Sequence, residues 1–296
     1  MWEALTEKVR QGDVRALARC ISLVENEIEG YLPFLESLQH TATPIIGITG
    51  PPGAGKSTLT DALIERLLAR QKRVAVLCVD PSSPFHLGAL LGDRIRMSRW
   101  YNHPDVFIRS LASRGSLGGL NPKIIEIADV LKLASFDHIL VETVGVGQSE
   151  IEVAGLADVT IVTIVPEAGD EIQTMKSGLM EIADIFVVNK ADRPGADAFV
   201  KNLRLMLAPA FHNHEQEIKV FKTVASDGTG VDAVLDEALA LLKSDAQHDK
   251  RGWLLAEKAW QLILHKRMQG ISKKAMKEEI EKSGTSFNVY RYVKGK

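Results

Sequence analysis

The sequence predicts an α/β fold in which helices cover both sides of a mostly parallel central sheet. Five short apolar runs lack the polar alternation of a half-solvated strand, and helical stretches separate them. Both ends of the chain show a helical pattern without strand signals. Runs of this kind are typical of strands that are buried on both faces, as in parallel sheets.

The first element is a helical N-terminal extension, predicted over residues 1–42. Apolar residues such as Leu17, Ile21 and Val24 recur at helical spacing, with a break at residues 11–13. This extension precedes the first strand signal.

The sheet domain is predicted over residues 43–245. Its strands are expected at 45–49, 74–79, 138–142, 159–165 and 185–189. Beyond it, residues 246–296 are predicted to form a basic helical arm, in which Trp253 and Trp260 share one helical face.

Composition is ordinary for a globular protein of 296 residues, with 45% hydrophobic and 25% charged residues. The formal charge of −2 combines two unlike parts, because residues 250–296 hold 12 Lys and Arg against 4 Asp and Glu. A basic tail could bind nucleic acid, but the shared face of Trp253 and Trp260 favours burial against a partner subunit, so we expect no nucleic-acid partner. We interpret the basic tail as a surface that meets the acidic body of a second subunit in a homodimer.

Cys20 and Cys78 are the two cysteines, too few for a disulfide framework or a cysteine-based metal site within one chain. The first residues include acids and no apolar h-region, and no run of eighteen apolar residues occurs. The sequence thus predicts a cytoplasmic protein without membrane association.

A phosphate-binding loop follows the first strand run and opens a helical stretch. It matches G-x-x-x-x-G-K-[ST] with the residues Gly50, Pro51, Pro52, Gly53, Ala54, Gly55, Lys56, Ser57 and Thr58. Glycines let successive N–H groups point at phosphate oxygens at a helix N-terminus. Lys56 would add a charge on the β- and γ-phosphates, and Ser57 would bind Mg²⁺. The motif predicts a P-loop NTPase.

Three carboxylates are candidates for the magnesium site because ligands bind at the carboxyl ends of parallel strands. Asp80 ends the second strand run, Asp93 lies in the loop beyond it, and Glu142 ends the third run. Glu142 opens the sequence Glu-Thr-Val-Gly, whose Gly145 would sense the γ-phosphate through its N–H group.

The base-reading motif N-K-x-D follows the fifth strand run, with Asn189, Lys190 and Asp192. A carboxylate can accept hydrogen bonds from guanine N1–H and the exocyclic amine. Adenine would leave this acceptor unpaired, at a cost of about 1–3 kcal/mol or more. The motif therefore predicts GTP and GDP as ligands and disfavours adenine-using kinases.

Together these motifs resemble the methylmalonyl-CoA mutase-associated GTPases of the MeaB/ArgK type, within the P-loop metal- and cobalamin-enzyme group. The resemblance covers roughly residues 43–232. It is carried by GPPGAGKST at 50–58, VDPSSP at 79–84, LGDRIRM at 91–97, SLGG at 116–119, ILVETVGVGQSE at 139–150, AGDEIQTMKSG at 168–178 and NKAD at 189–192.

The resemblance implies a Mg²⁺-dependent GTPase that acts as a chaperone. It would gate cofactor loading and protect or reactivate an adenosylcobalamin-dependent acyl-CoA mutase such as methylmalonyl-CoA mutase. Lys56, Asp80 and Glu142 would be catalytic, and a C-terminal arm would form a homodimer. The magnesium positions of the family fall on Ser57, Asp80, Asp93 and Glu142. Gln173 and Lys176 correspond to positions in the third mobile loop of the family.

Several residues depart from the family pattern. The first mobile loop reads PFHLGA at 84–89, Arg94 stands where Lys is usual, and Arg114 and Glu167 replace small residues. The loop at 223–228, whose Ser226 would lie near the guanine, is one residue short. Because mobile loops sense partners, these departures bear on the partner rather than on nucleotide binding.

The attacking water has no obvious positioning residue, and Gln148 is the nearest analogue of a switch glutamine. We hypothesise slow intrinsic turnover, with a partner that orders the loop carrying Arg94 and Arg96. Two other functions stay open: a metallochaperone GTPase, and an amino-acid-transport-protein kinase, an older label of the family. The first is disfavoured because no C-x-x-C occurs and the only histidine cluster is at 212–214.

Overall fold

The computed structural model describes most of the chain. The described residues are 1–38, 42–80, 97–113, 120–143, 145, 152–168, 178–207, 218–244, 246–268, 270–283 and 287–294. Among these, the side chains of Asp80, residues 246–251 and His265 are outside the description.

Seven parallel strands form the central sheet in the order β3-β2-β4-β1-β5-β6-β7. Their bounds are β1 Ile45–Thr49, β2 Val74–Asp80, β3 Val106–Ala112, β4 His138–Glu142, β5 Val159–Ile164, β6 Ile185–Val188 and β7 Lys219–Lys222. The five predicted strands are confirmed to within one residue at either end, as is the α/β class.

The sequence prediction missed the two edge strands, β3 and β7. Arg109 and Ser110 interrupt the apolar residues of β3, and in β7 only the adjacent Val220 and Phe221 are apolar, between Lys219 and Lys222. An edge strand has one unpaired side and tolerates charged residues within it, such as Arg109, Lys219 and Lys222. A search for unbroken apolar runs therefore finds only the central strands.

Helices cover both faces of the sheet in the part of the chain that the structure describes. The bounds are α1 Trp2–Arg10, α2 Val14–Glu25, α3 Tyr31–Glu36, α4 Lys56–Ala69, α5 Ile124–Leu131, α6 Gly178–Ile182, α7 Ala196–Leu207, α8 Val231–Leu241, α9 Ala246–Met268, α10 Lys273–Ser283 and α11 Val289–Lys294. Alternate residues of β1 enter opposite cores: Ile45 packs with α2 and α5, and Ile46 packs with α4 and α8.

The N-terminal helices share a core with the sheet. Asp13 caps α2 by accepting hydrogen bonds from the backbone N–H groups of Arg15 and Ala16, which explains the predicted break before it. Trp2 stacks on Phe34 with ring centroids 4.6 Å apart, which ties α1 to α3. Residues Met1–Leu254 consequently form one compact unit.

The second unit, Leu255–Lys296, contains most of α9 together with α10 and α11. Within it, Tyr292 Oη donates to Glu279 Oε2 at 2.6 Å, and the Phe287 and Tyr292 rings are 5.6 Å apart. Large apolar side chains on α9, among them Trp260, Ile263 and Met268, are exposed. No described helix combines the length and apolar character needed to cross a bilayer.

Candidate functional site

The glycine-rich loop lies between β1 and α4, and two of its glycines are required by geometry. Gly50 has φ +133°, and a Cβ there would lie 1.9 Å from the carbonyl oxygen of Thr163 in β5. Gly55 has φ +90°, and a Cβ there would lie 2.3 Å from Nδ2 of Asn189. Only glycine permits these backbone angles and approaches. The loop therefore packs directly on β5 and on the predicted base motif.

Lys56 folds back over this loop. Its Nζ donates to the carbonyl oxygens of Gly50 at 2.8 Å and Pro51 at 3.0 Å, and the residue is 6% exposed. Gly145 lies beside the same ammonium, since a Cβ at Gly145 would be 2.2 Å from Nζ. The structure thus brings the loop, its lysine and the predicted γ-phosphate glycine together, an arrangement suited to phosphate.

Ser57 and Glu142 form the described half of the predicted magnesium site. The Ser57 hydroxyl donates to Glu142 Oε1 at 2.6 Å, and both residues are buried. Glu142 is placed there by the parallel register that pairs it with Ile48. A hydroxyl and a carboxylate are the hard oxygen donors that Mg²⁺ prefers, so this pair fits the ion.

Two further predicted metal ligands are only partly placed. Asp80 is the last residue of β2, two positions beyond Cys78, whose register partner in β4 is Glu142. The side chain of Asp80 and all of Asp93 lie outside the described residues. Parallel register therefore brings the backbone of Asp80 to the same sheet edge as Glu142.

Asn189 joins the base motif to the phosphate loop. Its Nδ2 donates to the carbonyl oxygen of Ala54 at 2.9 Å. Its Oδ1 accepts from Thr223 Oγ1 at 3.1 Å and from the Ala225 N–H at 3.0 Å. The side chain is buried, so these three bonds satisfy it away from water. The sequence could not show the Thr223 and Ala225 contacts, which cross more than thirty positions.

Lys190 makes a second connection to the phosphate loop. It has φ +55°, and its Nζ donates to the carbonyl oxygen of Gly53 at 2.7 Å. Asp192 and Ser226 are exposed, each on a turn. These turns adjoin because the Ala191 N–H donates to the Thr223 carbonyl oxygen at 3.0 Å. The predicted base residues therefore share one end of the sheet with the phosphate loop.

An ion pair links the end of β5 to the base motif. Arg193 Nη1 donates to Glu167 Oε1 at 2.5 Å. This hydrogen bond lowers the pKa of the Glu167 carboxyl. The departure from the family pattern at Glu167 was visible in the sequence, but its partner 26 positions away was not. The two side chains are about half exposed, so this pair contributes little to stability.

Several predicted residues lie outside the described part of the chain. They are Asp93, Arg94, Arg96, Arg114, Gln148, Gln173, Lys176 and the histidine cluster at 212–214.

Comparison with known proteins identifies the family. The family model described as methylmalonyl Co-A mutase-associated GTPase MeaB matches residues 17–277. The chain belongs to the MeaB family. It is accordingly a GTPase that binds guanine nucleotide, as the P-loop and N-K-x-D motifs predicted.

Relatives and solved structures agree with MeaB membership. A protein of Pyrococcus abyssi named as a GTPase is 46% identical over 263 residues, which are 87% of this chain and 80% of that protein. The crystal structure of a LAO/AO transport system kinase superposes with a TM-score of 0.67 at 27% identity, over 96% of this chain and 87% of that one. The fused isobutyryl-CoA mutase of Geobacillus kaustophilus is 36% identical over 235 residues, 74% of this chain and 22% of that protein.

Proposed function

We propose that this MeaB-family GTPase hydrolyses GTP with Mg²⁺ and serves as a chaperone for an adenosylcobalamin-dependent acyl-CoA mutase. It would gate cofactor loading and protect or reactivate the mutase, with methylmalonyl-CoA mutase the first candidate. The fused isobutyryl-CoA mutase is the observation that supports this partner, because it contains a segment related to this chain within a protein named as a mutase.

The phosphate end of the site supports hydrolysis. Phosphoryl transfer is catalysed mainly by positioning and charge stabilisation. We assign Lys56 and the loop N–H groups to the β- and γ-phosphates, and Gly145 to sensing the γ-phosphate. Lys56 is already held against the loop by two carbonyl oxygens, so its ammonium is pre-positioned.

We assign the metal to Ser57 and Glu142, with Asp80 and Asp93 completing the ligand set. When bound, Mg²⁺ would neutralise charge on the phosphate oxygens. The hydrogen bond from the Ser57 hydroxyl to Glu142 Oε1 holds these two oxygen atoms, the proposed metal ligands, 2.6 Å apart. Glu142 also orients the attacking water in this proposal.

We assign guanine to Asp192, with Asn189 and Lys190 holding the base loop against the phosphate loop. Asn189 reaches Ala54 and Lys190 reaches Gly53, so base and phosphate positions are set relative to each other. We assign Ser226, on the adjoining turn, to the base side. We further assign homodimerisation to the arm, whose α9 exposes a large apolar surface that a second copy would cover.

The kinase name of one solved structure suggests a different activity, phosphorylation with ATP. The N-K-x-D residues argue against it, because Asp192 would meet no donor pair on adenine. A comparison of GTP and ATP affinities separates the two functions. Preference for ATP would support the kinase.

The decisive experiment measures binding of the purified protein to each adenosylcobalamin-dependent mutase of its source organism. Binding is followed by calorimetry with GDP, with a non-hydrolysable GTP analogue and without nucleotide. We expect affinity for one mutase to depend on the nucleotide, and that mutase to accelerate phosphate release from GTP. Absence of nucleotide-dependent binding to every mutase would refute the partner assignment and leave the GTPase activity standing.

A further inference from the structure

The turn that carries Ser226 is short and internally closed. The Val224 N–H donates to the Thr229 carbonyl oxygen at 3.0 Å, and the Thr229 N–H donates to Asp227 Oδ1 at 2.8 Å. Four residues, 225–228, therefore lie between the two bridged positions. We call residues 223–230 the base loop. Asn189 holds its upstream end, as described above.

An arginine of the P-loop helix lies against the downstream end of the base loop. Gly228 has φ +81°, and the three atoms nearest to a Cβ built on it all belong to Arg66 of α4, with Nη2 at 2.4 Å. Arg66 is fixed in turn by Asp232 in the first turn of α8, with Nε to Oδ2 at 2.9 Å. The guanidinium thus lies between the loop backbone and its carboxylate partner.

A second arginine of α4 offers an internal comparison. Arg70 lies one turn beyond Arg66 and pairs with Asp236 at 2.7 Å and with Asp232 at 3.6 Å. Its exposure is close to that of Arg66, 32% against 28% of the side chain. The two residues make comparable ion pairs to α8, whereas Arg66 also supports Gly228.

The hydrogen-bonding edge of guanine needs a donor that the base loop can supply. In the proposed function Asp192 accepts from N1–H and the 2-amino group, which leaves the O6 acceptor on the same edge. O6 requires a donor, and the base loop, whose turn adjoins the one that carries Asp192, offers backbone N–H groups and the Ser226 hydroxyl. The Asp227 carboxylate is occupied by Thr229, which also lowers the pKa of Asp227.

We propose that Arg66 is a positioning residue that sets the base loop at the 6-position of the purine. It transmits the position of the P-loop helix to the loop through Gly228. This inference rests on the proposed guanine site. It assigns to a residue outside every recognised motif a part in nucleotide selectivity.

The test uses the full chain and three competing nucleotides against a fluorescent GDP analogue. GTP is compared with 6-thioguanosine triphosphate, which keeps N1–H and the 2-amino group but replaces O6 by a weakly accepting sulfur, and with ITP, which lacks the 2-amino group. For Arg66→Ala we expect discrimination against the analogue without O6 to fall about threefold to tenfold, the range of one neutral hydrogen bond. Discrimination against ITP should stay as in the wild type, because Asp192 is untouched.

Arg70→Ala is the matched control, since it removes ion pairs between the same two helices. We expect it to leave both discrimination ratios unchanged. The inference is overturned if Arg66→Ala leaves both discrimination ratios unchanged, as expected for Arg70→Ala. It is also overturned if Arg66→Ala lowers the ratio for the analogue without O6 and the ratio for ITP equally. A wild-type protein that does not prefer GTP to ITP would instead refute the guanine assignment of Asp192.

A second variant covers the case in which Arg66→Ala does not fold. Asp232→Asn leaves the arginine in place and weakens its anchor, so the same ratio should fall by a smaller factor. An unchanged ratio in Asp232→Asn would also overturn the inference.

Discussion

Asn189 offers a direct test of how the base motif and the phosphate loop are joined. The substitution Asn189→Ala removes three hydrogen bonds at once, to Ala54, Thr223 and Ala225. A neutral hydrogen bond contributes about 1 kcal/mol, so the expected loss in the free energy of unfolding is about 3 kcal/mol. Two of the partners are backbone groups and cannot turn away, so the loss should not fall much below this figure.

Urea-induced unfolding followed by circular dichroism measures this loss, and calorimetry measures GDP affinity. We expect GDP to bind about tenfold more weakly, which corresponds to about 1.4 kcal/mol needed to restore the organised site on binding. Thr223→Val is the matched control, because it removes one of the three bonds with little change in shape. It should cost about 1 kcal/mol.

The reasoning fails if the free energy of unfolding of Asn189→Ala lies within about 0.5 kcal/mol of the wild-type value, because one hydrogen bond contributes more than that. It also fails if Asn189→Ala and Thr223→Val lose the same free energy of unfolding. Either result would mean that the three contacts do not act together in joining the two loops.

Three more predictions test the site and the arm. Glu142→Gln should raise the Mg²⁺ concentration needed for half-maximal phosphate release about tenfold or more, because a neutral amide replaces a charged oxygen donor; an unchanged Mg²⁺ dependence would remove Glu142 from the metal site. Asp192→Asn should shift preference from guanine to xanthine nucleotides in competition binding, whereas full retention of GTP selectivity would remove Asp192 from the base site. Deletion of residues 250–296 should yield a monomer in sedimentation that still binds GTP; a truncated protein that stays dimeric would show that the arm is not the dimer contact.

The central strands and the phosphate loop could be predicted from sequence because their causes are local. A strand buried on both faces is mainly apolar, as in β4 with Ile139, Leu140 and Val141 and in β5 with Val159, Ile161, Val162 and Ile164. Gly50 and Gly55 were recognised from their spacing, and the structure shows them in backbone conformations that only glycine adopts readily. The edge strand β7 was missed because only two of its four residues are apolar, a pattern that a short loop segment can also have.

The contacts that assemble the site could not be predicted in the same way. Ser57 and Glu142 were each expected at the magnesium site, yet their hydrogen bond depends on the register between β1 and β4. Glu167 was noted as unusual without any sign of its partner Arg193. Arg66 belongs to no motif, and nothing in its neighbourhood in the sequence points to Gly228.

The sequence by itself determined the family, the nucleotide and the fold class, because short segments encode backbone conformation and ligand chemistry together. Tertiary structure alone decided how the two halves of the nucleotide site are held at a common spacing. Asn189 meets Ala54 across 135 positions, and Arg66 meets Asp232 across 166. Such contacts arise when strand order brings distant loops to one edge of the sheet, and this order is set by packing of the whole core rather than by any local pattern.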